Sequence, residues 1–193
     1  MILRAADRTA VPWKNGGGLT REVAVHPPGS DLGNFDWRVS LAEVRAGGPF
    51  SIFPGIDRQL AVISGRLALS IAAEDTVVLT AASAPCAFSG DLPAAAEPVE
   101  SPVADLNVMT RRGRFVARLQ RCRGPSGTTL TLHADTTLLI ALAPLALDGA
   151  SWAGELSVLD AVRLSAQRHA PLALSIASAA ADFWLIEIEP QVS

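Results

Sequence analysis

Polar and apolar residues alternate in short runs along most of this chain, and glycine and proline separate the runs. Within residues 20–25, Thr20, Glu22 and Ala24 share one face while Arg21, Val23 and Val25 share the other, the period of a strand. His26-Pro27-Pro28-Gly29-Ser30 ends that run, because proline cannot continue a ladder. Residues 36–44 alternate again, with Trp37, Val39 and Leu41 opposite Arg38, Ser40 and Ala42, up to the break at Gly47-Gly48-Pro49. The extended segment 50–58 delivers Asp57 and Arg58 to the start of an apolar run at 59–65. Strands are also predicted over 66–71, 76–80 and 86–88, then over 105–110, where Asp105, Asn107 and Met109 share a face. The stretch 94–102 reads as a Pro/Ala/Glu connection. Further strand patterns occupy 114–121, 128–133, 137–141, 161–165, 171–176 and 183–189. Only 135–147 and 177–181 invite a helix, and neither is well capped. This spacing predicts an all-β sandwich or barrel with little helix.

A faint internal repeat bears on domain organisation. Leu60-Ala61-Val62-Ile63 with Leu67-Ala68-Leu69 resembles Leu138-Leu139-Ile140-Ala141 with Leu145-Ala146-Leu147. In the same order, residues 75–80 and then Ala84-Pro85 recur as residues 160–165 and then Ala170-Pro171. Two similar β-modules are expected, 1–105 and 106–193, intertwined in one compact fold.

Composition then removes several functions. A net charge of −3 and a pI near 5.6 supply no field for nucleic acid or an anionic membrane. The six arginines between Arg111 and Arg123 read as a solvated or salt-bridged strand. No run approaches the ~20 apolar residues of a membrane helix. The charged residues Arg4 and Asp7 sit where a signal peptide would be apolar. Cys86 and Cys122 have no paired spacing and read as reduced thiols, so a cytoplasmic protein is expected.

The densest chemistry lies in Pro12-Trp13-Lys14-Asn15-Gly16-Gly17-Gly18, which holds the one lysine of a chain with 16 basic residues. No Gly-Lys-Ser/Thr follows, and a strand rather than a helix comes next, so this is neither a phosphate loop nor a dinucleotide fingerprint. His26, His133 and His169 are isolated from one another, which predicts no metal site and no cofactor. Neither cysteine nor any serine lies in a nucleophile elbow. What remains is a set of polar residues on strand faces and in the glycine turn: Lys14, Asn15, Gly16, Thr20, Glu22, Arg38, Asp57, Arg58, Asp105 and Asn107. Arg58 with Lys14 would grip a carboxylate. Thr20 and Asn107 would add neutral hydrogen bonds, and Glu22 would accept from a ligand N–H or steer Arg58. The competing reading makes Arg58, Asp57 and Glu22 a buried ion network between strands.

These residues resemble the HutD/Ves family. The resemblance is carried by Pro12–Gly18 with Thr20 and Glu22, by Phe35-Asp36-Trp37-Arg38-Val39-Ser40-Leu41-Ala42-Glu43-Val44, and by Gly48-Pro49-Phe50-Ser51. Phe53-Pro54-Gly55-Ile56-Asp57-Arg58, Phe88-Ser89-Gly90-Asp91 and the stretch 105–113 complete it. The resemblance implies a cupin-like, RmlC-type double-stranded β-helix of two modules, a bicupin. It also implies a cytoplasmic protein tied to histidine utilisation that binds urocanate or formylglutamate rather than transforming it. The metal-binding His-x-His of cupin enzymes has no counterpart between Phe50 and Gly65. Two functions stay open: a metal-free sensor of a small carboxylate, and a metal-independent isomerase or lyase with Glu22 or Asp105 as general base. A homodimer is left open.

Overall fold

The structure is a computed structural model of the chain that describes residues 1–72, 75–149, 152–166 and 171–191, without the side chain of Ser101. His169 and Ala170, both singled out in the sequence, lie outside the described residues. The strands are β1 (Ile2–Leu3), β2 (Ala10–Pro12), β3 (Gly18–His26), β4 (Trp37–Val44), β5 (Gly48–Pro49), β6 (Ile56–Ile71), β7 (Val77–Thr80), β8 (Cys86–Ser89) and β9 (Ala94–Arg111). They continue as β10 (Phe115–Pro125), β11 (Thr129–Leu132), β12 (Thr136–Ala141), β13 (Leu145–Asp148), β14 (Gly154–Leu156), β15 (Ala161–Leu164), β16 (Leu172–Ile176) and β17 (Ala180–Pro190). Among the described residues the helical content is one 3-10 turn, Ala5–Asp7. The chain is all-β, as its alternation predicts.

Two segments expected to be helical are strands. Residues 135–147 supply β12 and β13, and 177–181 lead into β17. β12 is paired on both edges, with β15 and β17, and five of its six residues are buried. Ladder pairing and burial on both faces override the helix propensity of its leucines. The expected connection at 94–102 is likewise part of β9, whose Ala94, Ala95 and Ala96 pair with Ile71, Ser70 and Leu69 of β6.

The chain divides into two compact units, Arg8–Phe115 and a second made of Met1–Asp7 with Val116–Ser193. The position 105/106, expected as the module boundary, falls inside β9.

In the first unit the strands follow the order β2-β3-β4-β9-β6-β7, with β5 also paired to β9 and β8 to β6. β6 and β9 are long enough to run through two segments of this sheet, and the register between them shifts three times between Val62 and Leu67. Gly65 sits in that irregular stretch at φ +83°, a conformation that favours glycine. Such bulges bend a strand and tighten its twist, which curls the sheet. The curl encloses an apolar floor in which Val44, Leu60, Val62, Leu67, Leu69 and Val103 are buried together. The opposite faces of the central strands are also buried, through Trp37, Val39, Leu41, Leu106 and Val108.

The second unit has a five-stranded sheet, β1-β15-β12-β17-β10, and a four-stranded one, β11-β16-β13-β14. Leu139, Val162, Phe183 and Leu185 of the former share a core with Leu132, Leu145, Leu147 and Leu174 of the latter. Asp160 ties the 3-10 turn to this unit by accepting from the backbone N–H of Ala5 and from Arg4. Five of the six arginines at 111–123 are engaged with carboxylates and carbonyls: Arg111 donates to the Phe35 carbonyl, Arg112 to Asp57 and Asp91, Arg114 to Asp36, and Arg121 and Arg123 to Asp182.

Candidate functional site

Strand register sets out the inward face of the first unit as a lattice. One rung runs Val11, Thr20, Ala42, Asp105, Val62 across β2, β3, β4, β9 and β6. The next runs Glu22, Ser40, Asn107, Leu60, and a third runs Arg38, Met109, Arg58. Leu60 and Val62 close into the apolar floor, while the polar members of these rungs border a cavity of about 650 Å³. That volume suits a small molecule.

Eight of the ten residues singled out in the sequence line the cavity: Lys14, Asn15, Thr20, Glu22, Arg38, Arg58, Asp105 and Asn107. Gly16 and Asp57 are not in the lining. Gly16 contributes through the turn instead, at φ +71°, with its N–H bonded to the Trp13 carbonyl. Asp57 is next to Arg58 on a strand and therefore points to the opposite face, where it pairs with Arg112 at 2.7 Å. Of the two roles open to Glu22, steering Arg58 is not supported by an ion pair between them among the described residues. Glu22 pairs with Arg38 at 2.8 Å, across β3 and β4. The shared face expected for Thr20, Glu22 and Ala24 ends at Glu22, because the β3–β4 register shifts between Glu22 and Ala24. Val23 is buried at the shift.

The glycine turn is held tightly at the cavity mouth. Asn15 Oδ1 accepts from the Gly17 N–H at 3.0 Å, and the Gly17 carbonyl accepts from Arg45 and Ala46. A Cβ on Gly18 would collide with the Glu43 carbonyl oxygen and press the Trp13 ring, so this position requires glycine. Trp13 Nε1 donates to Thr20 Oγ1 at 2.8 Å, which fixes the indole against the first rung.

The centre of the site is Arg58, which is 5% exposed. Its guanidinium carbon lies 4.9 Å from the Phe88 ring centroid, 5.0 Å from Phe50 and 5.8 Å from Phe53, a three-sided aromatic enclosure. No ion pair involves Arg58 among the described residues, and its Nε is buried without a hydrogen-bond partner. Asp105, 2% exposed, and Asn107 each carry an Oδ1 in the same condition. Burial lowers Arg58 to about 10, opposed by the charge of Asp105. Burial pushes the Asp105 carboxyl up to about 7, opposed by the charge of Arg58. The three phenylalanines, Ser40 and Met109 were not among the predicted site residues. The alternation that selects Arg38 and Asn107 also selects Ser40 and Met109; Phe88 comes in only through the register that sets it opposite Arg58.

The lining offers carboxylates but neither histidine nor cysteine; of these, Glu22 is paired to Arg38, Asp105 is buried beside Arg58, and Asp31 is exposed with its Oδ1 accepting from the Gly33 N–H. Among the described residues no group of three His, Cys, Asp or Glu could hold a metal ion. These residues do not fit the metal that barrels of this kind can hold.

A curled all-β sheet with a ligand-sized cavity on its inner face defines a cupin-like barrel protein. The fold is shared with a cupin 2 conserved barrel domain protein from Leptotrichia buccalis, at TM-score 0.63 and 11% identity over 93% of this chain and 92% of that one. Within that class the chain belongs to the HutD family, whose model, described as HutD, matches residues 5–181. It is 36% identical over 141 residues to an uncharacterized 21.2 kDa protein in the hutC 3' region of Pseudomonas putida, covering 72% of each chain. It is 34% identical over 109 residues to protein Ves of Citrobacter koseri, covering 56% of each chain. Two solved structures are similar throughout. A conserved protein of unknown function from Pseudomonas aeruginosa PAO1 gives TM-score 0.90 at 30% identity, covering 98% of each chain. HutD from Pseudomonas fluorescens SBW25 gives TM-score 0.83 at 29% identity, covering 100% of this chain and 99% of that one.

Proposed function

We propose that this protein is a metal-free binder of a small carboxylate metabolite, of the urocanate or formylglutamate type, that acts in the cytoplasm to modulate histidine utilisation. The observation that carries this reading is Arg58: a buried guanidinium in an aromatic enclosure, facing the cavity, with no ion pair. A buried charge without a partner is costly, and a ligand carboxylate removes that cost. Lys14 at the mouth adds a second positive charge, and Thr20 and Asn107 add hydrogen-bonding groups. The family membership and the hutC-region relative support the pathway assignment. In this reading the two units are the modules of a bicupin, and the first holds the ligand.

Thermal-shift screening of small mono- and dicarboxylates tests it. A ligand at 100 times its Kd stabilises the fold by about 2.7 kcal/mol. Arg58→Ala is expected to abolish the shift, and an undiminished shift in that variant overturns the assignment.

Asp105 favours one competing reading, a metal-independent isomerase or lyase. A carboxyl held near neutrality at a cavity suits a general base. Turnover of urocanate or formylglutamate by purified protein, followed by absorbance or NMR, decides for the enzyme.

A further inference from the structure

Asp57, Asp91 and Arg112 belong to sequence blocks singled out above, yet none of them lines the cavity. Arg112 gathers the group on the outer face. Its Nε and Nη2 donate to Asp57 Oδ1 at 2.9 and 2.7 Å, its Nη1 to Asp91 Oδ2 at 2.8 Å, and its Nη2 to Ser89 Oγ at 2.7 Å. Asp91 Oδ1 in turn accepts from the Gly55 N–H at 2.9 Å. That N–H, with Ser89 and Arg112, holds the Asp91 carboxyl down at about 2. The side chains of Asp57, Asp91 and Arg112 are 50%, 41% and 46% exposed. Exposed ion pairs contribute little to stability, so this density of bonds has another reason.

The reason lies on the other side of the same strands. Asp57 is set opposite Ser89 across β6 and β8, and the adjacent cross-strand pair is Arg58 with Phe88. Strand neighbours point to opposite faces, so the two residues that Arg112 grips outside are chain neighbours of the two that meet inside. Phe53 is tied to the same place: its N–H donates to the Gly90 carbonyl at 2.8 Å, and the Gly90 N–H donates to the Ile56 carbonyl at 2.7 Å. A Cβ on Gly90 would lie 2.8 Å from the Phe53 oxygen and 2.9 Å from the Ile56 oxygen, so only glycine lets these segments meet. Phe50 is anchored separately, by its N–H on the Ala94 carbonyl. We propose that Arg112 and Asp91 are positioning residues that set, from the outer face, the aromatic enclosure in which Phe53 and Phe88 hold Arg58. The proposal rests on the binding role of Arg58 and adds residues outside the cavity on which that role depends.

The Arg58 Nε–H reports the enclosure without any ligand. Lying among three rings and buried from water, its proton is expected upfield of the other arginine Nε–H signals and slow to exchange. The proton–nitrogen correlation spectrum of the full chain reads it, and its absence from Arg58→Lys assigns it. Arg112→Lys, which keeps the charge but cannot fork, and Asp91→Ala are each expected to move this signal toward the others and to speed its exchange about tenfold or more. Two control variants are expected to leave it in place: Arg66→Ala, which breaks an exposed pair between β6 and β9, and Asp182→Asn in the second unit. Urocanate, titrated by calorimetry, is expected to bind Asp91→Ala about tenfold more weakly than wild type. Asp91→Asn, which still offers an acceptor to Gly55, is expected to recover most of that loss. Should Asp91→Ala fail to fold, Arg112→Lys carries the test. An unmoved signal in the folded clamp variants, or an equal movement in Asp182→Asn, overturns the positioning role. Wild type that binds no urocanate counts against the carboxylate reading instead, and the Arg58 signal still decides the clamp.

Discussion

Arg58 and Asp105 are buried in one cavity with opposite charges, yet no ion pair joins them. Each raises the cost of neutralising the other, and burial raises the cost of keeping either charged. The result is a pocket whose charge state depends on its occupant.

The first prediction concerns pH. Asp105 titrates near 3.8 when unfolded and near 7 when folded, so the folded state holds its proton more tightly. Its contribution to stability is therefore fully present below about pH 4 and is lost as pH rises through 7. The loss is at most about 1.4 kcal/mol per pH unit. Urea denaturation between pH 5 and 8 is expected to show this decline in wild type and not in Asp105→Asn. Parallel pH profiles for the two proteins would remove Asp105 as its source.

Two glycines of the same turn should respond differently. Gly18→Ala drives a methyl into the Glu43 carbonyl and the Trp13 ring, and is expected to cost about 1–3 kcal/mol. Gly16→Ala meets no atom within 4 Å, and costs only the left-handed backbone, about 1–2 kcal/mol. Only Gly18→Ala should also weaken carboxylate binding, because it displaces Trp13 from Thr20. Thermal shifts with a saturating carboxylate distinguish the two.

Glu22 restrains Arg38 at the edge of the site. The pair is partly exposed, so Glu22→Gln should change stability by less than about 1 kcal/mol. It frees a positive charge beside the cavity, and carboxylate affinity should rise about threefold by calorimetry. A fall in affinity would place Glu22 itself in contact with the ligand.

In the second unit, Asp182 receives Arg121 in a two-pronged contact, with both nitrogen–oxygen distances 2.7 Å. The arginine holds the Asp182 carboxyl below its ordinary value, so this stabilisation is present above about pH 4 and disappears as pH falls below it. Asp182→Asn is expected to lower stability by about 1–2 kcal/mol at pH 7 and by little at pH 3. Arg121→Lys should lose part of it, because lysine cannot make the fork. Denaturation midpoints at the two pH values are the check.

Much of the site was legible because period-two alternation fixes which residues share a face. Arg38 with Ser40, and Asp105 with Asn107, follow from that rule, and both pairs line the cavity. The same rule excludes Asp57: adjacent residues on a strand cannot both point inward, so choosing Arg58 rejects its neighbour. Phe88 was not legible, since its place beside Arg58 depends on the β6–β8 register, thirty residues away in sequence. Residues 135–147 misled because leucine and alanine favour a helix wherever no partner strand competes. The bulge after Glu22 left no sign in the alternation, and only pairing with β4 reveals it.

The docking of β1 has a consequence for biosynthesis. Ile2 and Leu3 pair with Val162 and Ala161, and Arg4 reaches Asp160. A ribosome makes Ile2 and Leu3 long before their partners. They must wait for β15 while the whole of Arg8–Phe115 and then the strands from β10 to β14 are translated. The first unit can complete its ladders as it emerges, whereas the five-stranded sheet cannot gain β1 at its edge until β15, the strand that receives it, has been synthesised.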